Sequence, residues 1–185
     1  KHLSTKTNEL FDLQDRIMLY DLTNTYFEGS KRKSNLAKYG RSKEKRSDAK
    51  LVVLAMVVNI EGFIKYSAIH EGNFSDTSNI KPLLQKLSVT TSNSAKPIVV
   101  MDAGIATEAN LKVLNQQGYQ YLVVSRAKLK DYQILQQGKQ TCLLTKSKKL
   151  IRLTEVQSEK HRDRFFKVES PDKGLKEKGI KSRLE

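Results

Sequence analysis

Eight consecutive residues, Leu51-Val52-Val53-Leu54-Ala55-Met56-Val57-Val58, carry no polar side chain. The run has the length of a strand, and a strand with no alternation of polar and apolar positions predicts burial within a sheet. It is far short of the ~20 residues that a membrane span needs. The N-terminus, Lys1-His2-Leu3-Ser4, lacks the layout of a signal peptide. No membrane association is expected, and the chain reads as a cytoplasmic protein. Lys1 in place of an initiator Met reads as a fragment or a processed piece.

The segments around this run define the fold class. Residues 1–16 read as a short helical tail. Ile17 to Thr23 is rich in β-formers and reads as a strand. Lys31 to Ala49 is polar and basic and reads as a loop or a disordered excursion. Glu61-Gly62 marks a turn, and Phe63 to Glu71 pairs as a hairpin with the apolar run. Ser75 or Asp76 caps a helix running to about Leu87, with Pro82 implying a later start or a kink. Val89 to Lys96 reads as a loop and Pro97 to Met101 as a strand. Thr107 to Gln117 is an amphipathic helix with Gly118 as its C-cap, and Tyr121 to Ser125 is a further strand. The order β-β-β-α-β-α-β predicts an α/β fold whose last two strands run parallel. Beyond Arg126, short β-like pieces (Thr141–Leu144, Leu150–Val156, Phe165–Val168) alternate with Lys-rich stretches. The expected domains are a tail over 1–16, a core over 17–130 and a β-rich basic segment over 131–185.

Charge narrows the class of partner. Lys and Arg number 34 against 20 Asp and Glu, a formal charge of +14. Nine basic residues and only two acidic ones fall between Lys31 and Lys50. Such a cluster favours a polyanion, and nucleic acid is the usual one, because each neutralised phosphate releases counterions. Lys31, Arg32, Lys33, Lys38, Arg41, Lys43, Lys45 and Arg46 are the candidate DNA-backbone contacts. Cys142 is the single cysteine, which excludes an internal disulfide and a cysteine-built zinc site. His2, His70 and His161 are scattered, and no Gly-rich phosphate loop is present. His70 and Cys142 read as structural, and Tyr26-Phe27 and Phe165-Phe166 as core.

Two aspartates carry the candidate chemistry. Asp21 interrupts an apolar strand, and Asp102 stands at the carboxyl end of another, where open α/β sheets bind ligands. If their strands are neighbours, the two carboxylates converge into a hard oxygen site suited to Mg²⁺ or Mn²⁺. Two other readings stand beside this one. Asp102-Ala103-Gly104 can be a strand-to-helix turn whose Asp caps the next helix, and Asp21 can lie on the solvent face of an edge strand.

Five segments in register resemble the DDE transposases of bacterial insertion sequences, of the IS-four type. They are Leu19 to Glu28; Tyr39-Gly40-Arg41-Ser42-Lys43 with Arg46-Ser47-Asp48; Leu51 to Val58 with Glu61-Gly62-Phe63; Glu71 to Asp76; and Val99 to Gly104 with Asn110-Leu111 and Gly118 to Val123. The resemblance covers roughly residues 17–130. It implies an RNase H-like mixed sheet in which the first and fourth strands are adjacent, with Asp21 and Asp102 as the first two catalytic and metal-binding acids. It implies two Mg²⁺ (or Mn²⁺) ions in the complete site, and DNA, as transposon ends and target, for the partner. It allows a homodimer of the full-length enzyme. The implied reaction is attack of water on a phosphodiester, releasing a 3′-OH that then attacks target DNA. The family's third acid is a Glu within Tyr-x2-Arg-x3-Glu-x6-Lys, and no Tyr of this chain is followed by Arg at that spacing. Residues 131–185 then resemble the start of the β-rich insertion that precedes that helix in the family. On this reading the chain binds DNA weakly and does not cleave it alone. A stand-alone RNase H-like nuclease, a non-enzymatic basic nucleic-acid-binding module and an inactive remnant of a decayed element are the other classes that fit.

Overall fold

The computed structural model describes residues 2–13, 15–40, 48–74, 80–90, 96–125, 132–135, 139–158 and 163–171. The chain divides into two compact units, Lys1–Ser125 and Arg126–Glu185. The first contains α1 (His2–Phe11), β1 (Ile17–Tyr26), β2 (Leu51–Asn59), β3 (Ile64–Glu71), α2 (Lys81–Thr90), β4 (Ile98–Met101), α3 (Glu108–Gln116) and β5 (Tyr121–Val123). Its five strands form one sheet in the order β3-β2-β1-β4-β5. β1, β2 and β3 are antiparallel neighbours, whereas β4 runs parallel to β1 and β5 parallel to β4. This is the RNase H-like mixed sheet implied by the resemblance, with the first and fourth strands adjacent.

One face of the sheet carries the core. Met18 and Leu22 of β1, Leu51, Val53, Ala55 and Val57 of β2, and Val99 and Met101 of β4 are buried with Leu83, Leu84 and Leu87 of α2 and Leu114 of α3. Each such side chain contributes about 1.5–3 kcal/mol on leaving water. β2 is covered less evenly than its unbroken apolar run predicts. Its odd-numbered residues are buried, and Val52, Leu54, Met56 and Val58 are only half-buried. The same second face exposes Leu19, Ile69 and Leu122. An apolar run thus marks a strand at the centre of a sheet without stating that both faces are covered.

Local signals set the helix ends. α2 begins at Lys81, so Pro82 sits in the first turn, where its missing N–H is harmless. The helix continues to Thr90, beyond the expected end at Leu87, while Ser75 and Asp76, the expected caps, lie outside the described residues. In α3 the Thr107 hydroxyl accepts from the Asn110 amide at 3.3 Å. Gly118, at φ +71°, ends that helix, with its N–H donating to Asn115 and that of Tyr119 to Leu114.

The basic segment after β1 is a loop, as expected, and its middle is fastened to the sheet. Ala37 is buried, and Lys38 and Leu51 exchange backbone hydrogen bonds of 3.1 and 2.9 Å. The Gly72 amide donates to Leu36 at 3.1 Å. A Cβ on Gly72 would collide with the carbonyl oxygens of Leu51 and Lys38, and one on Gly40 with the carbonyl of Gly72. These two glycines let three backbone segments touch.

The second unit is built on β8 (Leu150–Ser158), flanked by β6 (Tyr132–Ile134), β7 (Gln140–Leu144) and β9 (Phe165–Glu169). All pairings are antiparallel. β9 overlaps both β6 and β7 along β8, so β6 and β7 occupy the opposite edge as two pieces of one interrupted strand. β6 is only three residues long, too short to leave a periodic signal in the sequence. The expected core pair Phe165-Phe166 is corrected. Phe165 is half-buried, and Phe166 is exposed beneath the Arg164 guanidinium, 5.5 Å from its ring centre. Alternation along β9 puts the two rings on opposite faces.

Candidate functional site

β1 and β4 pair in parallel from Ile17 opposite Ile98 to Tyr20 opposite Met101. Asp21 and Asp102 are the next residues on their strands, about 4.8 Å apart in strand spacing. Alternation decides where Asp21 goes. Met18 and Leu22 point into the core, so Leu19 and Asp21 emerge on the other face, and both are exposed. Asp21 therefore faces solvent, although β1 is the central strand rather than an edge strand.

Asp102 ends β4 for a local reason. Its Oδ1 accepts from the amides of Gly104 at 2.8 Å and Ile105 at 3.1 Å, and its carbonyl accepts from Ala106 at 3.1 Å. This is the turn of the alternative reading, built by an aspartate bonding the backbone that follows it. It is not a helix cap, because Thr107 caps α3. The turn holds Oδ1 in place, and Oδ2 has no partner among the described residues. Asp21 has no hydrogen-bond or ion-pair partner among them either. Two adjacent carboxylates with no cation beside them repel one another, so the pair is an acceptor for positive charge. Among the described residues no third Asp, Glu, His or Cys completes a metal-holding group.

The basic candidates divide into three. Lys31, Arg32 and Lys33 are exposed and, with Ser30 and Ser34, line a surface hollow. Lys31 turns back at φ +38°, its Nζ 5.3 Å from the Phe27 ring centre. Lys38 is committed to an ion pair with Glu71 at 2.8 Å. Arg41, Lys43, Lys45 and Arg46 lie outside the described residues.

His70 and Cys142 stay apart from the aspartates in sequence and element. His70, on β3, stacks on Phe74 with ring centres 4.1 Å apart. Burial, and then the nearby Lys86 charge, lower its pKa from 6.5. Cys142 is exposed on β7. Four polar residues that no motif marks, Asn8, Asp15, Asn59 and Lys65, meet where β1 begins. The one sequence signal for them is a lysine inside a strand and an asparagine closing an apolar run.

No helix among the described residues is long and apolar enough to cross a membrane. No curated protein matches the chain. Among solved structures it is similar to the "Mos1 transposase paired-end complex with left transposon end", at 16% identity and a TM-score of 0.41, covering 65% of this chain and 38% of that one. The chain thus spans well under half the length of that relative. The family described as "Transposase DDE domain" matches residues 12–181. A match that begins ahead of β1 and continues past β9 makes this chain a member of the transposase DDE domain family.

Proposed function

We propose that Asp21 and Asp102 are the first two acidic residues of a transposase catalytic centre, acting in phosphodiester cleavage and strand transfer during movement of an insertion sequence. The observation that carries this reading is the β1–β4 register, which sets the two aspartates side by side with Asp21 unpartnered among the described residues. Their donor set is oxygen only, which fits Mg²⁺ or Mn²⁺. When bound, a pair of such ions supplies Lewis acidity to the attacking and to the leaving oxygen of the phosphodiester. The chain's own part is to hold the ligands. The amides of Gly104 and Ile105 fix the Asp102 carboxylate and leave Oδ2 free to ligate.

DNA is the substrate in this reading, as transposon ends and target. Lys31, Arg32 and Lys33, followed by Arg41, Lys43, Lys45 and Arg46, contact backbone phosphates and fix position rather than read bases. Lys38 contributes less, since Glu71 already neutralises it. The cytoplasm, on the nucleoid, is the site of action, and a homodimer is the form the resemblance allows for the full-length enzyme.

The test is Mn²⁺ titration of this chain by calorimetry, alongside a nicking assay on plasmid DNA. Mn²⁺ binding that is lost in both Asp21→Asn and Asp102→Asn, with no nicking by the chain alone, is the expected result. Mn²⁺ binding unchanged by both substitutions overturns the assignment. Nicking by the chain alone that disappears in Asp102→Asn overturns the need for a third acid.

A further inference from the structure

We infer that the buried cluster of Asp15, Lys65, Asn59 and Asn8 is a register pin that positions Asp21 beside Asp102. Asp15 lies two residues ahead of β1, and Lys65 is the second residue of β3. Their side chains are each 1% exposed and form an ion pair of 2.7 Å. Asn59, the last residue of β2, donates its Nδ2 to Asp15 Oδ1 at 3.2 Å and accepts from the Phe63 amide at 2.8 Å. Asn8 of α1 donates to Asp15 Oδ2 at 3.2 Å and accepts from Lys65 Nζ. Both oxygens of the buried carboxylate are thus satisfied, from three different elements.

The strands around β1 carry little register information of their own. β2 is apolar at every position from Leu51 to Val58, and Ile98 to Met101 of β4 are apolar throughout. A slip of one residue is blocked, because it would turn Asp21 into the core and Met18 out of it. A slip of two residues keeps every side chain on its own face and sets one apolar residue against another. The hydrophobic pattern does not oppose it. The polar cluster does. Such a slip moves Asp15 by about 6.6 Å, out of reach of Lys65 and Asn59, and leaves a buried lysine without its counter-ion. It also carries Asp21 about 6.6 Å along the strand from Asp102. The pin and the carboxylate pair lie on the same strand, so whatever holds Asp15 aligns Asp21. A single buried polar group that specifies one register among near-equal alternatives is an established use of such groups. These residues are positioning residues, and none of them touches substrate.

The relevance to catalysis rests on the proposed role of Asp21 and Asp102. The readout, strand register, answers for the pin whether or not those carboxylates hold metal. The experiment compares the isotopically labelled chain with Asp15→Leu/Lys65→Met, which replaces the pair by apolar groups, and with the exchanged pair Asp15→Lys/Lys65→Asp. Interstrand amide proximity between Leu19 and Val100 is read by nuclear Overhauser effects. The expected result is one set of β1 resonances in the parent, more than one set with a missing Leu19–Val100 effect in the apolar variant, and return to one set in the exchanged pair. An apolar variant that keeps a single set with the parent Leu19–Val100 effect overturns the inference. An apolar variant that does not fold makes the cluster a stability element only, and overturns it as well.

Discussion

Tyr20 of β1 is the register partner of Met101 of β4, and the next residue on each strand is an aspartate. Residues 81 positions apart in the chain are thereby neighbours on parallel strands, which only a crossover connection through helices makes available. Asp21 owes its exposure to alternation along β1 and Asp102 to the turn that ends β4, so two different local rules deliver the same side-by-side placement.

The two aspartates separate in their effect on stability. Asp102→Asn keeps an oxygen for the Gly104 and Ile105 amides and leaves the unfolding free energy within about 0.5 kcal/mol of the parent. Asp102→Ala removes that acceptor and costs about 1–3 kcal/mol. Asp21→Asn relieves repulsion and leaves stability unchanged or slightly raised. Urea unfolding of the three variants checks this order, and Asp102→Ala as stable as Asp102→Asn would contradict the hydrogen bonds described.

Removing Lys31, Arg32 and Lys33 together by alanine substitution weakens DNA binding about equally for unrelated sequences. The slope of log affinity against log salt falls by about 0.9 for each phosphate that is no longer neutralised. Fluorescence anisotropy across a salt series measures it. The same change at Lys38 moves the slope less, because its charge is already met by Glu71.

Gly72→Ala destabilises the first unit by about 1–3 kcal/mol or more, since the added methyl meets the Leu51 and Lys38 carbonyls and the backbone must shift. Gly62→Ala is the control. Gly62 has open space around it and a φ of +88°, so its cost, about 1 kcal/mol, comes from backbone strain alone. Chemical denaturation of both variants reads the difference.

Lys65→Met leaves the Asp15 carboxylate buried without its cation and costs about 3–5 kcal/mol. The loss is insensitive to added salt because water does not reach the pair. The exposed pair Lys6–Glu9, at 2.8 Å, behaves differently, and Lys6→Met changes stability by at most about 1 kcal/mol. Thermal unfolding at two salt concentrations distinguishes them.

His70 makes stability depend on pH in a definite sense. Its folded pKa lies below 6.5, lowered by burial and by Lys86, so the unfolded chain takes up a proton first as pH falls. The stability associated with neutral His70 is therefore fully present above 6.5 and declines as pH drops through that value toward the folded pKa. His70→Phe, which keeps the stacking on Phe74, flattens this part of the profile. Unfolding temperatures between pH 7.5 and 5 test it, and an unchanged slope in the variant assigns the dependence to another group.

The sequence by itself determined the elements and their order. β-forming runs, a Thr and a Gly at the ends of α3, and the spacing of two aspartates are local properties, and they are legible because alternation, capping and turn chemistry act within a few residues. Tertiary structure decided what depends on partners. Local signals do not say which face of β2 is covered, that Ala37 and Lys38 fasten a basic loop to the sheet through Gly72, or that Phe166 faces solvent. The clearest case is Lys65. A lysine in a strand reads as a surface residue, and only the meeting of α1, β2 and the approach to β1 provides the carboxylate that permits its burial. The uniform apolarity of β2, the most legible feature of the chain, is also the one that leaves its register unspecified, because an all-apolar strand packs equally well two residues away.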